Sequence, residues 1–184
     1  MPASRQTHPV SVAGLHRALP LFEVASGVRI AVLNILGDTE FVQACAAALA
    51  AKLAPAAYDV IVTAEAKSIP LAHALSVETG KPYIVLRKSY KPYMGVALSS
   101  ETVSITTGAP QMLYLDEKDN AVIKGMRVAL LDDVISTGST QKGMRAVVEK
   151  AGASVTLEAA IFTEGDAAQW AHIIALGHLP VFLD

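Results

Sequence analysis

The chain has 184 residues, a length that suits a single domain. Hydrophobic residues make up 52% of it, enough for a sizeable core, yet charged residues such as Lys52 and Asp59 interrupt its apolar stretches before they reach a membrane-spanning length. The 15 basic and 17 acidic residues give a net charge of −2, which argues against a dedicated nucleic-acid surface.

Residues 1–27, the first part of the chain, lack a regular alternation of strands and helices. Residues 1–10 also show no apolar segment with a cleavage pattern, so we expect no secretory signal. Residues 165–184 likewise fall outside the alternation. We therefore expect these two terminal segments to pack together as a small hood over the ligand edge of a sheet, within a single domain of residues 1–184.

Between the termini, apolar runs bounded by turn residues alternate with helical segments. This pattern is typical of an α/β fold with a mostly parallel sheet flanked by helices. Cys45 is the only cysteine. We interpret it as a packing residue in a reducing cytoplasm. In chain order we predict a strand at 28–33, a helix at 39–53, a strand at 58–63, a helix at 69–78, strands at 82–87 and 126–131, a helix at 139–151 and a strand at 154–162.

Residues 88–110 interrupt this alternation with a polar, aromatic excursion. Residues 102–106 and 111–115 alternate in polarity as an antiparallel hairpin does. A long excursion inside a compact α/β domain is typical of a lid, so we predict that this segment is a flexible lid.

The sequence VALLDDVISTGST, at residues 128–140, carries the most specific chemical signal. We predict that its apolar strand ends at Asp132 and Asp133 and that a hydroxyl-rich turn around Gly138 precedes a helix. Ligands of open α/β sheets bind beyond the carboxyl ends of strands, and a helix N-terminus attracts anions. A sugar phosphate, with hydroxyl donors at one end and an anion at the other, suits this arrangement.

The alternative is that Asp133 or Ser136 only caps the helix and Asp132 is a solvated strand end. A lone acid pair would favour that interpretation, but the combination of strand, acids, hydroxyl-glycine turn and helix argues against it. No lysine follows Gly138, so the turn is not a nucleoside-triphosphate loop. The five histidines, scattered along the chain, show no metal-ligand spacing.

The 128–140 sequence resembles the substrate motif of type I phosphoribosyltransferases, and the closest resemblance is to the adenine and xanthine enzymes. The resemblance implies that Asp132 and Asp133 hold the ribose hydroxyls of 5-phosphoribosyl-1-pyrophosphate and take part in catalysis. It also implies a 5′-phosphate site in the turn that follows the acids, comprising Ser136, Thr137, Gly138, Ser139 and Thr140.

A second loop strengthens the resemblance. Residues 63–68 (TAEAKS) are similar to the pyrophosphate loop of the purine enzymes, often Glu-Ala-Arg-Gly or Glu-Ala-Ser-Gly, and Arg87-Lys88 resembles their Arg-Lys pair. The resemblance implies a catalytic role for Arg87. It also implies a pyrophosphate site comprising Ala64, Glu65, Ala66, Lys67, Arg87, Lys88 and Lys91. Without it, a plain helix entry and a solvated basic strand end would be equally good interpretations.

Two departures from the adenine enzymes stand out. Thr106-Thr107 replaces a Glu-Tyr pair before the lid glycine, Gly108, and Lys67-Ser68-Ile69 stands where Arg-Gly-Phe is usual. The first departure bears on the lid's part in catalysis, and the second weakens the case for adenine as the base.

The resemblance implies transfer of a phosphoribosyl group to a purine-type base in purine salvage, with Mg²⁺ as cofactor. The expected partners are phosphoribosyl pyrophosphate and a nucleobase, without nucleic acid or membrane, in a cytoplasmic homodimer. We assign the base pocket partly to Ile135 and partly to the two terminal segments. Two alternatives stay open: a non-catalytic regulatory module that binds the same ligand, and a coincidental helix cap in an unrelated doubly wound fold.

Overall fold

The computed structural model describes residues 5–103 and 110–183. Its helices are α1 (Thr39–Leu53), α2 (Ile69–Thr79), α3 (Glu117–Ile123) and α4 (Ser139–Lys150), with short 3-10 helices at Pro92–Met94 and Ala167–Trp170. Its strands are β1 (Thr7–Val12), β2 (Leu15–Ala25), β3 (Val28–Ala31), β4 (Val60–Ala64), β5 (Tyr83–Leu86), β6 (Leu98–Val103), β7 (Pro110–Leu115), β8 (Arg127–Ile135), β9 (Ser154–Glu164), β10 (Ile174–Leu179) and β11 (Val181–Leu183). Among these residues, no helix is both long and apolar enough to cross a membrane.

A five-stranded parallel sheet in the order β10-β9-β8-β4-β5 forms the centre of the fold. Successive residues of a strand point to opposite faces, and here the two faces feed two different cores. Ile61 packs with α1 and α2 on one face, whereas Val62 packs with α4 and β7 on the other. This arrangement confirms the predicted α/β class with helices on both faces of a parallel sheet.

The helix boundaries follow from local capping. The carboxylate of Asp38 accepts a hydrogen bond from the amide of Phe41, which starts α1 as predicted. Gly80 ends α2 in the left-handed conformation, with φ of 65°. Cys45 is fully buried in α1, and burial raises the pKa of its thiol to about 12. The thiol therefore behaves as an apolar packing group.

A separate antiparallel sheet in the order β1-β2-β3-β11 combines the two terminal segments. The strands that form this sheet differ from those expected of the hood predicted at residues 1–27 and 165–184. The strand predicted at 28–33 belongs to this sheet as β3, because it pairs with β2 and β11. Conversely, β10 lies within residues 165–184 but extends the parallel sheet alongside β9. Gly177 permits that pairing, since a Cβ atom there would lie 2.7 Å from the Phe162 ring.

The strand that carries the acid pair is longer than predicted. We expected it to end at Leu131, but β8 continues to Ile135. The reason is its neighbour: β9 runs to Glu164, and pairs such as Asp132 with Ala160 keep β8 extended beyond the acids. Asp132 and Asp133 therefore lie within the strand and share the rigidity of the sheet.

Within the predicted lid, the structure shows a 3-10 helix and the β6–β7 hairpin. The paired residues are 98–103 and 110–115, so the hairpin begins earlier than the predicted 102–106. Two backbone hydrogen bonds, of 2.9 and 2.8 Å, join Arg87 to Tyr114 and tie β7 to the end of β5. Thr106, Thr107 and Gly108 lie outside the described residues.

Candidate active site

The carboxyl ends of β5, β4 and β8 meet at one edge of the parallel sheet. Thr63 of β4 stands beside Val85 of β5 on one side and Leu131 of β8 on the other. The segments that follow these strands therefore emerge together, which brings residues 65–68, Arg87 and residues 132–140 to one place. This is the edge where ligands of parallel sheets bind.

The two acids of β8 are held in a dense set of hydrogen bonds. The Asp132 carboxylate accepts from the Ser68 hydroxyl at 2.7 Å, from the Asp133 amide at 2.9 Å and from the Gln141 side chain at 3.0 Å. The Asp133 carboxylate lies 3.1 Å from the same Ser68 hydroxyl. The Asp132 carboxylate is thus held by the 65–68 loop, by its own strand and by α4.

Burial and proximity disfavour the ionisation of Asp132. Loss of water around its carboxylate is the larger effect and the neighbouring Asp133 carboxylate the second, and together they raise the pKa of Asp132 far above its ordinary value. The Ser68 hydroxyl opposes this shift by donating to the charged form. A ligand that donates hydroxyl hydrogens to the pair would also favour the ionised carboxylates.

Lys67 lies against Asp133, within a loop that we predicted to bind pyrophosphate. Its ammonium is 3.0 Å from Asp133 Oδ2 and donates to the Leu33 carbonyl at 3.2 Å. About half of the side chain, 47%, is exposed. The Lys67 ammonium therefore balances the charge of the Asp133 carboxylate, and its side chain remains half exposed at the sheet edge.

Glu65 organises the basic end of β5. Its carboxylate accepts from Arg87 Nε and from the Lys88 amide, both at 2.6 Å. The Arg87 guanidinium also donates to the Tyr93 hydroxyl at 3.4 Å. Glu65 thus acts as an anchor for Arg87, whereas the side chains of Lys88 and Lys91 are exposed. The peptide bond between Glu65 and Ala66 is cis.

Residues 137–140 form the turn that starts α4. Gly138 occupies the N-cap position with φ of 72°, a conformation that favours glycine. The hydroxyls of Thr137 and Ser139 lie 3.0 Å apart, and no side chain caps the helix. The Ser139 amide donates to the Thr137 hydroxyl at 3.4 Å. The dipole of α4 favours an anion at this end of the helix.

Trp170 and Glu164 support the turn from beneath. The indole donates to the Glu164 carbonyl at 2.9 Å, and its ring packs so closely that a Cβ atom at residue 138 would lie 2.9 Å from it. Ser136, predicted to bind phosphate, instead donates to the Glu164 carboxylate at 3.1 Å. Its hydroxyl is therefore engaged on the protein side of the turn in this structure.

Replacing Glu164 with glutamine should change how stability depends on pH. Glu164 is 5% exposed, and burial raises the pKa of its carboxyl above the ordinary 4.5. A carboxyl with a raised pKa holds its proton more tightly in the folded state, so its ionisation destabilises the fold as pH rises from 4.5 through the raised pKa. We expect the melting temperature of Glu164→Gln, relative to the wild type, to increase across that window.

Thermal denaturation between pH 4 and pH 8 measures this difference. Glu149→Gln provides the control, because the Glu149 side chain is 55% exposed on the surface of α4. A difference between Glu164→Gln and wild type that stays constant with pH would contradict the argument.

A cavity of about 330 Å³ opens between β2 of the terminal sheet and the start of α1. Arg17 closes one side of it by bonding both Asp38 oxygens, at 2.7 and 2.9 Å. Leu33 lines the cavity and presents its carbonyl to Lys67, which places the cavity next to the acid pair. Ile135, our base-pocket residue, does not line it: its side chain is 1% exposed and packs with Ala160 and Ile173.

The family model for the phosphoribosyl transferase domain matches residues 32–172 of this chain. The match spans the parallel sheet from β4 to β9 and both loops of the site. The chain belongs to the phosphoribosyl transferase domain family. The matched residues include the acid pair, the 137–140 turn and the 65–68 loop, which lie at the same edge of the sheet.

Curated relatives with similar sequences include two archaeal proteins named hypoxanthine/guanine phosphoribosyltransferase. The protein from Methanocella paludicola is 40% identical over 108 residues, which are 59% of this chain and 53% of the relative. The protein from Methanococcus voltae is also 40% identical over 108 residues, 59% of this chain and 54% of the relative. The chain thus spans about half the length of the curated relatives it matches.

Solved structures with the same fold include adenine phosphoribosyltransferases. The enzyme from Thermoanaerobacter pseudethanolicus matches with a TM-score of 0.66 and 22% identity, over 78% of this chain and 84% of that one. The enzyme from Saccharomyces cerevisiae matches with a TM-score of 0.62 and 20% identity, over 75% and 78%. At this identity the likeness concerns the fold.

Sequence reasoning missed several residues that complete the site in this family member. Ser68 and Gln141 bond the acids, and Trp170 supports the turn. Ser68 is a departure from the family's usual glycine, which was a usable signal. Gln141 and Trp170 gave none, because their positions depend on how α4 and the segment after β9 pack.

Proposed function

We propose that this protein transfers the phosphoribosyl group of 5-phosphoribosyl-1-pyrophosphate to a purine-type base and releases pyrophosphate. The observation that carries the proposal is the joint position of the acid pair and the glycine turn beside the 65–68 loop. That edge offers acceptors for ribose hydroxyls and donors for two anions within one connected site. The family membership and the names of the archaeal relatives support the same activity.

The substrate would extend across the sheet edge from α4 toward β5. Its 5′-phosphate would bind the amides and hydroxyls of residues 137–140, and its ribose hydroxyls would donate to Asp132 and Asp133. Pyrophosphate would bind the backbone of residues 64–67, with Lys67, Arg87, Lys88 and Lys91 supplying positive charge. Ser136 has a weaker claim to the phosphate, because its hydroxyl is bonded to Glu164.

Substrate binding would require Lys67 to change partner. The ammonium now balances Asp133 at 3.0 Å. Pyrophosphate, an anion of higher charge, would draw the ammonium toward the loop, while the ribose hydroxyls replace it as donors to Asp133. This exchange would give both the Lys67 ammonium and the Asp133 carboxylate a new partner. We therefore expect the pyrophosphate and ribose sites to fill together.

The reaction would form a bond between a ring nitrogen of the base and the anomeric carbon as the bond from that carbon to pyrophosphate breaks. Positive charge develops on the ribose, where Asp132 and Asp133 lie, and negative charge develops on pyrophosphate, beside Lys67 and Arg87. The protein thus needs to position the reactants and match these charges, without a covalent intermediate.

Magnesium fits this site as a companion of the substrate. The described residues hold no group of three or more His, Cys, Asp or Glu side chains arranged around a metal. The carboxylates at the site already have protein partners: Lys67 for Asp133, Gln141 for Asp132 and Arg87 for Glu65. Bound through the oxygens of the pyrophosphate, Mg²⁺ would neutralise charge on the leaving group.

The base would occupy the 330 Å³ cavity beside Leu33. This position replaces our assignment to Ile135 and retains the contribution of the N-terminal segment. We further propose that the chain works as a single domain, that residues 88–110 close over the reactants as a lid, and that the enzyme is a cytoplasmic homodimer.

The test is pyrophosphate release from phosphoribosyl pyrophosphate and magnesium with a panel of bases. We expect turnover with hypoxanthine or guanine and none with uracil or orotate, while adenine and xanthine report how finely the cavity discriminates. Tight ligand binding without turnover on any base would favour the regulatory module instead. Absence of binding in titration calorimetry would remove the proposal altogether.

A further inference from the structure

The Ser68 side chain links the two halves of the site. Ser68 is 2% exposed and belongs to the 65–68 loop, yet its hydroxyl reaches both acids of β8. The Asp133 amide donates to the Ser68 oxygen at 2.9 Å, so the serine accepts from one acid's backbone while donating to the other acid's side chain. Similar loops of the purine enzymes have glycine here, and a glycine has no hydroxyl to offer.

The geometry leaves the hydroxyl little choice of partner. It has a single hydrogen, and Asp132 Oδ1 at 2.7 Å is nearer than Asp133 Oδ1 at 3.1 Å. The amide that donates to its lone pair also fixes its rotation. Gln141 holds the second oxygen of Asp132 from the side of α4. The Asp132 carboxylate is thereby held by the loop before α2, by its own strand and by α4.

We propose that Ser68 is a positioning residue, which holds Asp132 in the orientation and charge state that accept the ribose hydroxyls. The inference rests on the proposed function. Its physical basis is that two adjacent, largely buried carboxylates repel each other, and a hydroxyl donor stabilises the ionised form of the one it bonds. The charged groups that face Asp132 are Asp133 on the same strand and, through Asp133, Lys67 of the loop.

The variant Ser68→Ala removes the donor and keeps the Cβ atom. We expect it to bind phosphoribosyl pyrophosphate with magnesium about tenfold more weakly at neutral pH, the scale of one hydrogen bond to a charged group. Affinity should fall as pH falls through the titration of Asp132, and the midpoint should move to higher pH in the variant. The titration of the ligand's own phosphates is common to all variants and cancels in the comparison.

Ser76→Ala is the matched control. It removes another serine hydroxyl of the same segment, which donates to the Lys81 carbonyl at 2.6 Å away from the acids. Both alanine variants should lower the melting temperature, but only Ser68→Ala should move the pH midpoint. Ser68→Gly is a second variant, since glycine is tolerated at a helix start and also lacks the hydroxyl.

A pH titration followed by carbon-13 NMR of the Asp132 carboxyl, without substrate, measures the same change in titration midpoint. A higher midpoint in both Ser68 variants and an unchanged one in Ser76→Ala would support the inference. Wild-type affinity and an unmoved midpoint in Ser68→Ala would overturn it and leave the proposed function intact. Failure of the wild type itself to bind phosphoribosyl pyrophosphate would instead remove the proposed function, and with it the role of Ser68.

Discussion

Replacing Asp133 with asparagine should weaken the binding of phosphoribosyl pyrophosphate by about 10- to 100-fold. A hydrogen bond to a charged group contributes about 1.5–3 kcal/mol, and asparagine has the same shape without the charge. The change also leaves Lys67 without the carboxylate that lies 3.0 Å from its ammonium. Titration calorimetry in magnesium buffer measures the affinity, and pyrophosphate release measures the accompanying loss of rate.

Asp59→Asn is the control for this experiment. Like Asp133, Asp59 pairs with a basic side chain, that of Arg127, but it lies at the opposite end of β4 and β8 from the acid pair. Its ion pair is exposed, and its loss should leave ligand affinity unchanged. If Asp133→Asn kept wild-type affinity and turnover, the assignment of ribose to the acid pair would be wrong.

Replacing Gly138 with alanine should destabilise the fold and weaken phosphate binding together. A side chain at φ of 72° costs about 1–2 kcal/mol, and overpacking against Trp170 costs about 1–3 kcal/mol more. For a domain of this size the sum lowers the melting temperature by about 4–20 °C. The turn must also shift away from the phosphate, so we expect affinity to fall by about 10- to 100-fold.

Gly80→Ala separates the two costs. Gly80 has φ of 65°, but a Cβ atom there would meet no other atom within 4 Å. Gly80→Ala should therefore show only the conformational cost, a fall of about 2–8 °C in melting temperature, with normal ligand affinity. Equal behaviour of the two variants would mean that the ring of Trp170 yields freely and that the turn tolerates a side chain.

Local chemistry made much of the parallel sheet predictable. Asp38 and Gly80 mark helix ends through a side-chain cap and a left-handed turn, and both effects act within a few residues of the chain. The terminal sheet was harder to predict because its pairings are remote: Val181 bonds opposite Ile30 across most of the sequence. Likewise, nothing within residues 126–135 indicated that β9 would keep Asp132 and Asp133 inside a strand.

The candidate site likewise combines local features, which the sequence predicts, with remote contacts, which it does not. The sequence could single out the acid pair and the glycine turn as candidates because they are contiguous and each residue type has a chemical reason. The pairing of Lys67 with Asp133 could not be predicted, since it joins residues 66 positions apart across two strands. The engagement of Ser136 by Glu164 depends similarly on the length of β9. The candidate ligand-binding residues can thus be recognised from short stretches of sequence. The side chains with which they form hydrogen bonds and ion pairs depend on the tertiary structure.

The contact between Trp170 and Gly138 has a practical consequence. Trp170 is the only tryptophan of the chain, and its ring lies directly beneath the turn at the start of α4. Movement of that turn alters the environment of the chain's only indole. The protein thus carries an intrinsic fluorescent group beside the turn that we propose as the phosphate site, and we expect its emission to follow occupancy of that turn in real time without any label.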